Sequence, residues 1–244
     1  MKKNISRGFT LVEIAIVLVI FTLVITGILR GQELINSAKS RNIIDQKASF
    51  QTAFLAFSNR YKLMAGDLSQ AQANFVGKTV IYSGAAYAGD GVIDFTNESV
   101  LVFQNLTATS FLSCAACMNV PQPPGQNIPP TTANTYINAY SQSLQFGTVA
   151  ASSAAAGGAW LDPNAATLPN RNILATGSKI TAAILQQVDQ KADDGLPHTG
   201  LFRQSTTDSA DSTANCTTTT GIGTAAVYAW TTTGNANCAG AWLF

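Results

Sequence analysis

The chain has 244 residues, enough for one large domain or one domain plus an extended element. Its formal net charge is +1 and only 11% of its residues are charged, with Thr, Ser, Ala and Gly filling much of the remainder. That balance argues against a general nucleic-acid binder, which carries a basic surplus or a basic stripe, and suits a surface that packs against copies of itself or faces the outside of a cell.

The N-terminus carries the strongest pattern. Lys2, Lys3 and Arg7 form a compact positive start, and Phe9 to Leu29 then runs for 21 residues with Glu13 as its sole charge. As a helix this run spans about 30 Å, the thickness of a bilayer's hydrocarbon core. Basic residues before it and a long chain after it place the start in the cytoplasm and the body outside. An ordinary secretory signal would need a small-residue cleavage site after the apolar run, but Arg30-Gly31-Gln32-Glu33 follows Leu29. A plain single-span anchor leaves Glu13 without a purpose, because a lone carboxylate in a membrane span costs about 2–3 kcal/mol or more. A free α-amino group four residues away would be its natural partner if the chain began at Phe9.

Gly8-Phe9-Thr10-Leu11-Val12-Glu13, behind a basic leader and inside a long apolar run, resembles the processing motif of type IV pilins and type II secretion pseudopilins. The resemblance implies that a prepilin peptidase cuts between Gly8 and Phe9 and that the new amine of Phe9 is methylated. It also implies that Glu13 pairs with the N-terminal amine of a neighbouring subunit during assembly. Because the cut precedes the apolar run, the subunit keeps its anchor, first in the inner membrane and later in the core of a filament. A paired buried carboxylate roughly breaks even, whereas an unpaired one costs several kcal/mol, so Glu13 is expected to set register and recruitment rather than to add stability. The division that follows is a leader at 1–8, a transmembrane and filament-core helix at 9–29, an amphipathic half at 30–65 and a globular head at 66–244. The fold class implied is α+β, a long N-terminal helix packed against an antiparallel β-sheet head with long loops.

Past the apolar run, Gln32 to Ala65 contains no Gly and no Pro. Ile43, Phe50, Phe54, Phe57 and Tyr61 recur at helical spacing, so the helix is predicted to continue as an amphipathic segment and to end near Gly66. The aromatic stripe is expected to be core. The chain departs from the pilin pattern in having no proline before Pro121; loosening of the helix on assembly is expected at Gly27 and Gly31 instead.

Further along, Tyr61–Asp67 resembles a Tyr-x-x-Leu-Pro-Gly-Asp segment of one group of pilin-like proteins, with Met64-Ala65 in place of Leu-Pro. Gly89-Asp90-Gly91-Val92-Ile93-Asp94 resembles a Gly-Asp-Gly turn of the same group; Asp90 and Asp94 lack the spaced oxygen ligands of an EF-hand, and a plain turn is expected. Thr79–Tyr82 and Val100–Phe103 read as short β-rich runs. Pro121–Pro130 reads as an extended loop, and Ser152–Gly158 as a surface loop. Ser178 is expected to cap a helix carrying Ile180, Ile184, Leu185 and Val188 on one face and ending at Gly195. Asp189–Pro197 resembles an Asp-x-Lys-x-Asp-Asp-Gly-x-Pro segment of the same group, read as a helix end and turn in preference to a metal site. Thr206–Thr220 is Thr- and Ser-rich, and Ala225–Thr231 reads as a late strand.

Four cysteines, Cys114, Cys117, Cys216 and Cys238, allow three pairings, and export favours structural disulfides. The sequence after Cys114-Ala-Ala-Cys117 is not helical, against a thioredoxin-like motif, and a zinc site lacks a second close pair. The family resemblance implies Cys216–Cys238, leaving Cys114–Cys117 to pair locally unless the pairs cross. His198 is the sole histidine and is expected at the surface. Gly77-Lys78-Thr79 resembles the tail of a phosphate loop, but Gln72 stands where the earlier glycine belongs. No enzymatic activity and no cofactor are expected. The partners expected are a prepilin peptidase, other pilin or pseudopilin subunits and the inner membrane, with no nucleic acid. Pilus and pseudopilus stay undivided at this stage, and the other reading is a pilin-like module whose head captures DNA, a surface or a secreted substrate.

Overall fold

The computed structural model of the chain describes residues 10–77, 79–82, 89–95, 98–120, 130–149, 169–206, 216–220, 227–231 and 236–244. The chain divides into two compact units, Met1–Ala38 and Lys39–Phe244. Helix α1, Leu11–Tyr61, contributes to both.

In the first unit, every described residue from Thr10 to Arg30 is exposed. The segment is long and apolar enough to cross a membrane. Its internal hydroxyls are satisfied within the helix: Thr22 Oγ1 donates to the Val19 carbonyl and Thr26 Oγ1 to the Thr22 carbonyl, both at 2.8 Å. Neither therefore presents an unpaired donor to an apolar surrounding. Gly27 and Gly31 lie within α1, and a Cβ at either would meet open space.

The second unit is α+β. Its four-stranded antiparallel sheet has the order β1-β2-β6-β3, where β1 is Gln145–Val149, β2 Arg171–Ala175, β3 Phe202–Ser205 and β6 Ala239–Leu243. A separate pair joins β4, Thr217–Thr220, to β5, Val227–Trp230. Pairing register aligns Phe146, Leu174, Trp242 and Phe202 in one row across the sheet. Because side chains alternate along a strand, that row shares one face and forms the main core with the aromatic face of α1. Phe50 lies 4.8 Å from Phe146 and 5.3 Å from Phe103, ring centre to ring centre, and Phe54 lies 5.0 Å from Phe146. Ile43, Phe50 and Phe57 are buried, with Phe54 and Tyr61 packed against the same core. The opposite face of the sheet buries Ile173, Ala241 and Leu243.

Several local expectations are corrected. Helix α1 ends at Tyr61, four residues before the expected stop, and the left-handed residue after it is Lys62 (φ 57°). Gly66 (φ 95°) serves a later turn, where a Cβ would sit 2.4 Å from Val102 Cγ2. Val100–Phe103 is not a strand but part of α3, Ser99–Ala108. All of Ser99–Leu106 is buried, so these residues have no solvent-facing side to betray the helical period, and the short apolar run Val100–Phe103 reads equally as strand. Thr79–Tyr82 is not a strand either, because side chains of α3 take its backbone groups. Gln104 donates to the Thr79 carbonyl at 2.6 Å and accepts from the Ile81 N–H at 3.1 Å, while Asn105 donates to the Ile81 carbonyl at 2.9 Å.

Helix α2, Gln70–Val76, opens with a capping box between Ser69 and Gln72 and ends at Gly77 (φ 71°). The phosphate-loop likeness at Gly77 is thus a helix end, and Lys78 lies outside the described residues. Helix α4 spans Ala182–Ala192 and is preceded by Thr181 rather than Ser178, and Asp193 rather than Gly195 follows its last turn. Ile180 sits before the helix, bridged to Cys238. The late strand is confirmed as β5 over Val227–Trp230. Ser152–Gly158 and most of Pro121–Pro130 lie outside the described residues.

Candidate functional site

Gly8 and Phe9, the residues expected to flank the cut, lie outside the described residues. The described chain begins beside them, at Thr10. The Thr10 N–H and hydroxyl both donate to Glu13 Oε2, at 2.7 and 2.8 Å, and the Glu13 N–H donates to Thr10 Oγ1 at 3.3 Å. This reciprocal pair is a capping box at the start of α1. It satisfies donors that a helix N-terminus leaves open and places an acidic group at the positive end of the helix dipole. Glu13 is exposed, so its second oxygen faces outward from a surface otherwise made of Leu11, Val12, Ile14 and Ile16. Glu13 is the sole charge between Phe9 and Leu29, and it is anchored by its own Thr10.

In the second unit, acidic side chains of the sequence motifs act as clamps on backbone. Asp67, buried at the end of the Tyr61–Asp67 segment, accepts the N–H of Gly89 through Oδ1 and that of Gly91 through Oδ2 at 2.8 Å. Asp90 closes the same turn by accepting the Val92 N–H at 2.8 Å. Two segments read separately in the sequence therefore form one structure. No spacing rule links residues this far apart, and the only hint was that each carries a glycine–aspartate pair, Gly66-Asp67 and Gly89-Asp90.

The Asp189–Pro197 segment behaves similarly. Asp193 Oδ2 accepts the N–H groups of Leu201 and Phe202, the latter at 2.8 Å, and so starts β3. Asp194 accepts the Leu196 N–H at 2.9 Å and the Thr199 hydroxyl at 2.5 Å. Asp189 is fully buried, and its Oδ2 accepts the indole N–H of Trp230 at 2.8 Å. Burial pushes the Asp189 carboxyl up to about 7 and the charges of Asp194 and Asp193 add to the shift, while hydrogen bonds from the Trp230 indole and the Gly195 backbone oppose it. Nothing in the sequence linked Asp189 to Trp230.

His198 is a correction: it is 3% exposed rather than a surface residue, and its ring stacks on Tyr228 at 3.8 Å between centres. The cysteines form Cys114–Cys117 and Cys216–Cys238. The first lies at a short 3₁₀ turn, Ala116–Met118, and the second ties the start of β4 to the residue before β6.

Comparison with known families matches residues 3–29 to the prokaryotic N-terminal methylation motif. That is the signature of type IV pilin and pseudopilin precursors, and it covers Lys3, Arg7, Gly8, Phe9, Glu13 and the apolar run together. No curated protein and no solved structure matches the chain. The motif and the one N-terminal apolar helix together fit an inner-membrane anchor.

Proposed function

We propose that the chain is a structural subunit of a type IV pilus or a type II secretion pseudopilus, cleaved after Gly8, methylated at Phe9 and assembled through Glu13. The observation that carries this reading is the methylation-motif match over residues 3–29, with Glu13 as the sole charge from Phe9 to Leu29. Once cut, the chain would begin four residues before Glu13, and its amine would be a cation that a neighbouring Glu13 can receive. The apolar surface of α1 has two habitats in this scheme, lipid before assembly and identical helices after it. Moving between them exchanges one apolar surrounding for another, so close packing and the single charge decide the register. The head would stand in the periplasm and then on the outside of the filament. The role is structural rather than catalytic.

Co-expression with a prepilin peptidase tests the first step: intact mass should fall by the eight-residue leader and rise by one methyl group, and an uncut chain beside an active peptidase overturns the reading. Glu13→Ala should leave cleavage and membrane insertion intact while reducing incorporation into filaments. Normal incorporation of that variant would remove the pairing role while leaving the processing step standing.

A further inference from the structure

The two disulfides of the second unit sit in different surroundings. Cys216 and Cys238 are both fully buried. In the other pair Cys117 is fully buried, but Cys114 is half-buried, between the exposed Ser113 and Ala115. Thiol–disulfide exchange requires a thiolate to reach one sulfur of the pair, so access favours Cys114. Its sulfur also has a donor: the Cys117 N–H donates to Cys114 Sγ at 3.2 Å as well as to the Cys114 carbonyl at 3.2 Å. Such a donor bonds a charged sulfur more strongly than a neutral one, and thiolate character is what makes a cysteine reactive. The local fold does not hang on the S–S bond. The Met118 N–H donates to the Ala115 carbonyl at 3.3 Å and the Asn119 N–H to the Ala116 carbonyl at 3.0 Å, which holds the 3₁₀ turn by backbone alone. Cys117 belongs to the main core, where a free thiol packs as a small apolar side chain.

We propose that Cys114–Cys117 is a thiol–disulfide exchange site, opened and closed by a protein dithiol, while Cys216–Cys238 is a permanent structural bond. In the opening direction a thiolate of the partner attacks Cys114 Sγ, the bond between the two cysteine sulfurs breaks, and Cys117 Sγ leaves and takes a proton. The partner's second thiol loses its proton and attacks the partner's own sulfur in this mixed disulfide. That closes the partner's disulfide and releases Cys114 as a thiolate beside the Cys117 N–H. Two electrons pass from the dithiol to the pair. Closing is the reverse: the Cys114 thiolate attacks the partner's disulfide, and Cys117 then displaces the partner. One reachable sulfur and one buried sulfur suit these two roles, because the first captures the partner and the second resolves the mixed disulfide without competing for capture. Neither cysteine lies in a strand, so opening loosens the turn after α3 and leaves the sheet pairing in place. The site stands apart from the N-terminal motif and does not depend on the assembly reading.

Glutathione redox buffers test the site on the full chain in detergent, without denaturant, with free thiols then alkylated by N-ethylmaleimide and mapped by peptide mass. Cys114 and Cys117 should become labelled together in a buffer about ten-fold less reducing than the one that first labels Cys216 and Cys238. Reduced thioredoxin, as the protein-dithiol probe, should open the same pair and leave the other closed. Oxidised glutathione should form a mixed disulfide on Cys114 of Cys117→Ala, whereas Cys117 of Cys114→Ala should stay unmodified. Hydrogen exchange at 145–149 and 171–175 should be unchanged when the pair is opened. Opening of both disulfides in the same buffer overturns the proposal, as does a Cys114–Cys117 bond that resists thioredoxin until the chain unfolds. Capture of glutathione by Cys117 of Cys114→Ala as readily as by Cys114 of Cys117→Ala would overturn it too.

Discussion

Acidic residues are scarce in this chain, and the described ones in its motifs are set to fixed tasks. Glu13 closes a capping box with Thr10, Asp67 holds Gly89 and Gly91, and Asp193 holds the first residues of β3. A carboxylate suits such work because it offers two oxygens and accepts charge-assisted bonds from several N–H groups at once. Asp67 shows what the arrangement contributes. Asp67→Ala removes both acceptors, and the two glycine N–H groups then depend on water. The turn lies near the surface, so the loss should be modest, about 1–3 kcal/mol in total. Asp67→Asn keeps one acceptor oxygen and should lose roughly half as much. Urea unfolding of the full chain in detergent measures both, and an Asp67→Ala chain as stable as the parent would show that the clamp is dispensable.

At the scale of elements, legibility in the sequence followed how one-sided each element is. Helix α1 was readable because half of it is apolar throughout and the other half carries a stripe at helical spacing, which the sheet row of Phe146 and Trp242 then covers. Helix α3 was not, since Ser99 through Leu106 are buried all round, polar Gln104 and Asn105 included, and no solvent-facing stripe marks the helix. The strands β1, β2, β3 and β6 are only four or five residues long. Strand β6, Ala-Gly-Ala-Trp-Leu, is buried at every position, so it shows no alternation. Its Gly240 is needed by contact rather than by any turn, as a Cβ there would lie 2.2 Å from the Phe202 ring. The same logic applies to the functional features. The Gly8–Glu13 motif is contiguous and could be read directly, whereas Asp189 could be seen as part of a segment but not as a buried carboxylate until Trp230 was placed beside it.

Across the second unit, the β4–β5 pair is the part with the least core of its own. Two strands of four residues are marginal in isolation, and ties to the surroundings are seen among the described residues. Cys216–Cys238 joins it to the four-stranded sheet, Trp230 reaches Asp189 on α4, and Tyr228 stacks on His198. Of these the disulfide is the one covalent tie, and it closes a loop over a separation of 22 residues, for which the chain-entropy model gives about 3 kcal/mol. Cys114–Cys117, over a separation of three, closes a far smaller loop and should contribute less, about 2 kcal/mol. Replacing Cys216 and Cys238 together with serine should therefore cost more stability than replacing Cys114 and Cys117 together. The loss should also be local before it is global. Hydrogen exchange at 217–220 and 227–230 should accelerate strongly in the Cys216/Cys238 variant, while β1, β2, β6 and β3 keep most of their protection because their aromatic row remains packed on α1. Equal acceleration in both sheets would mean that the two form one cooperative unit, with the disulfide stabilising the whole rather than fastening the smaller sheet to the larger.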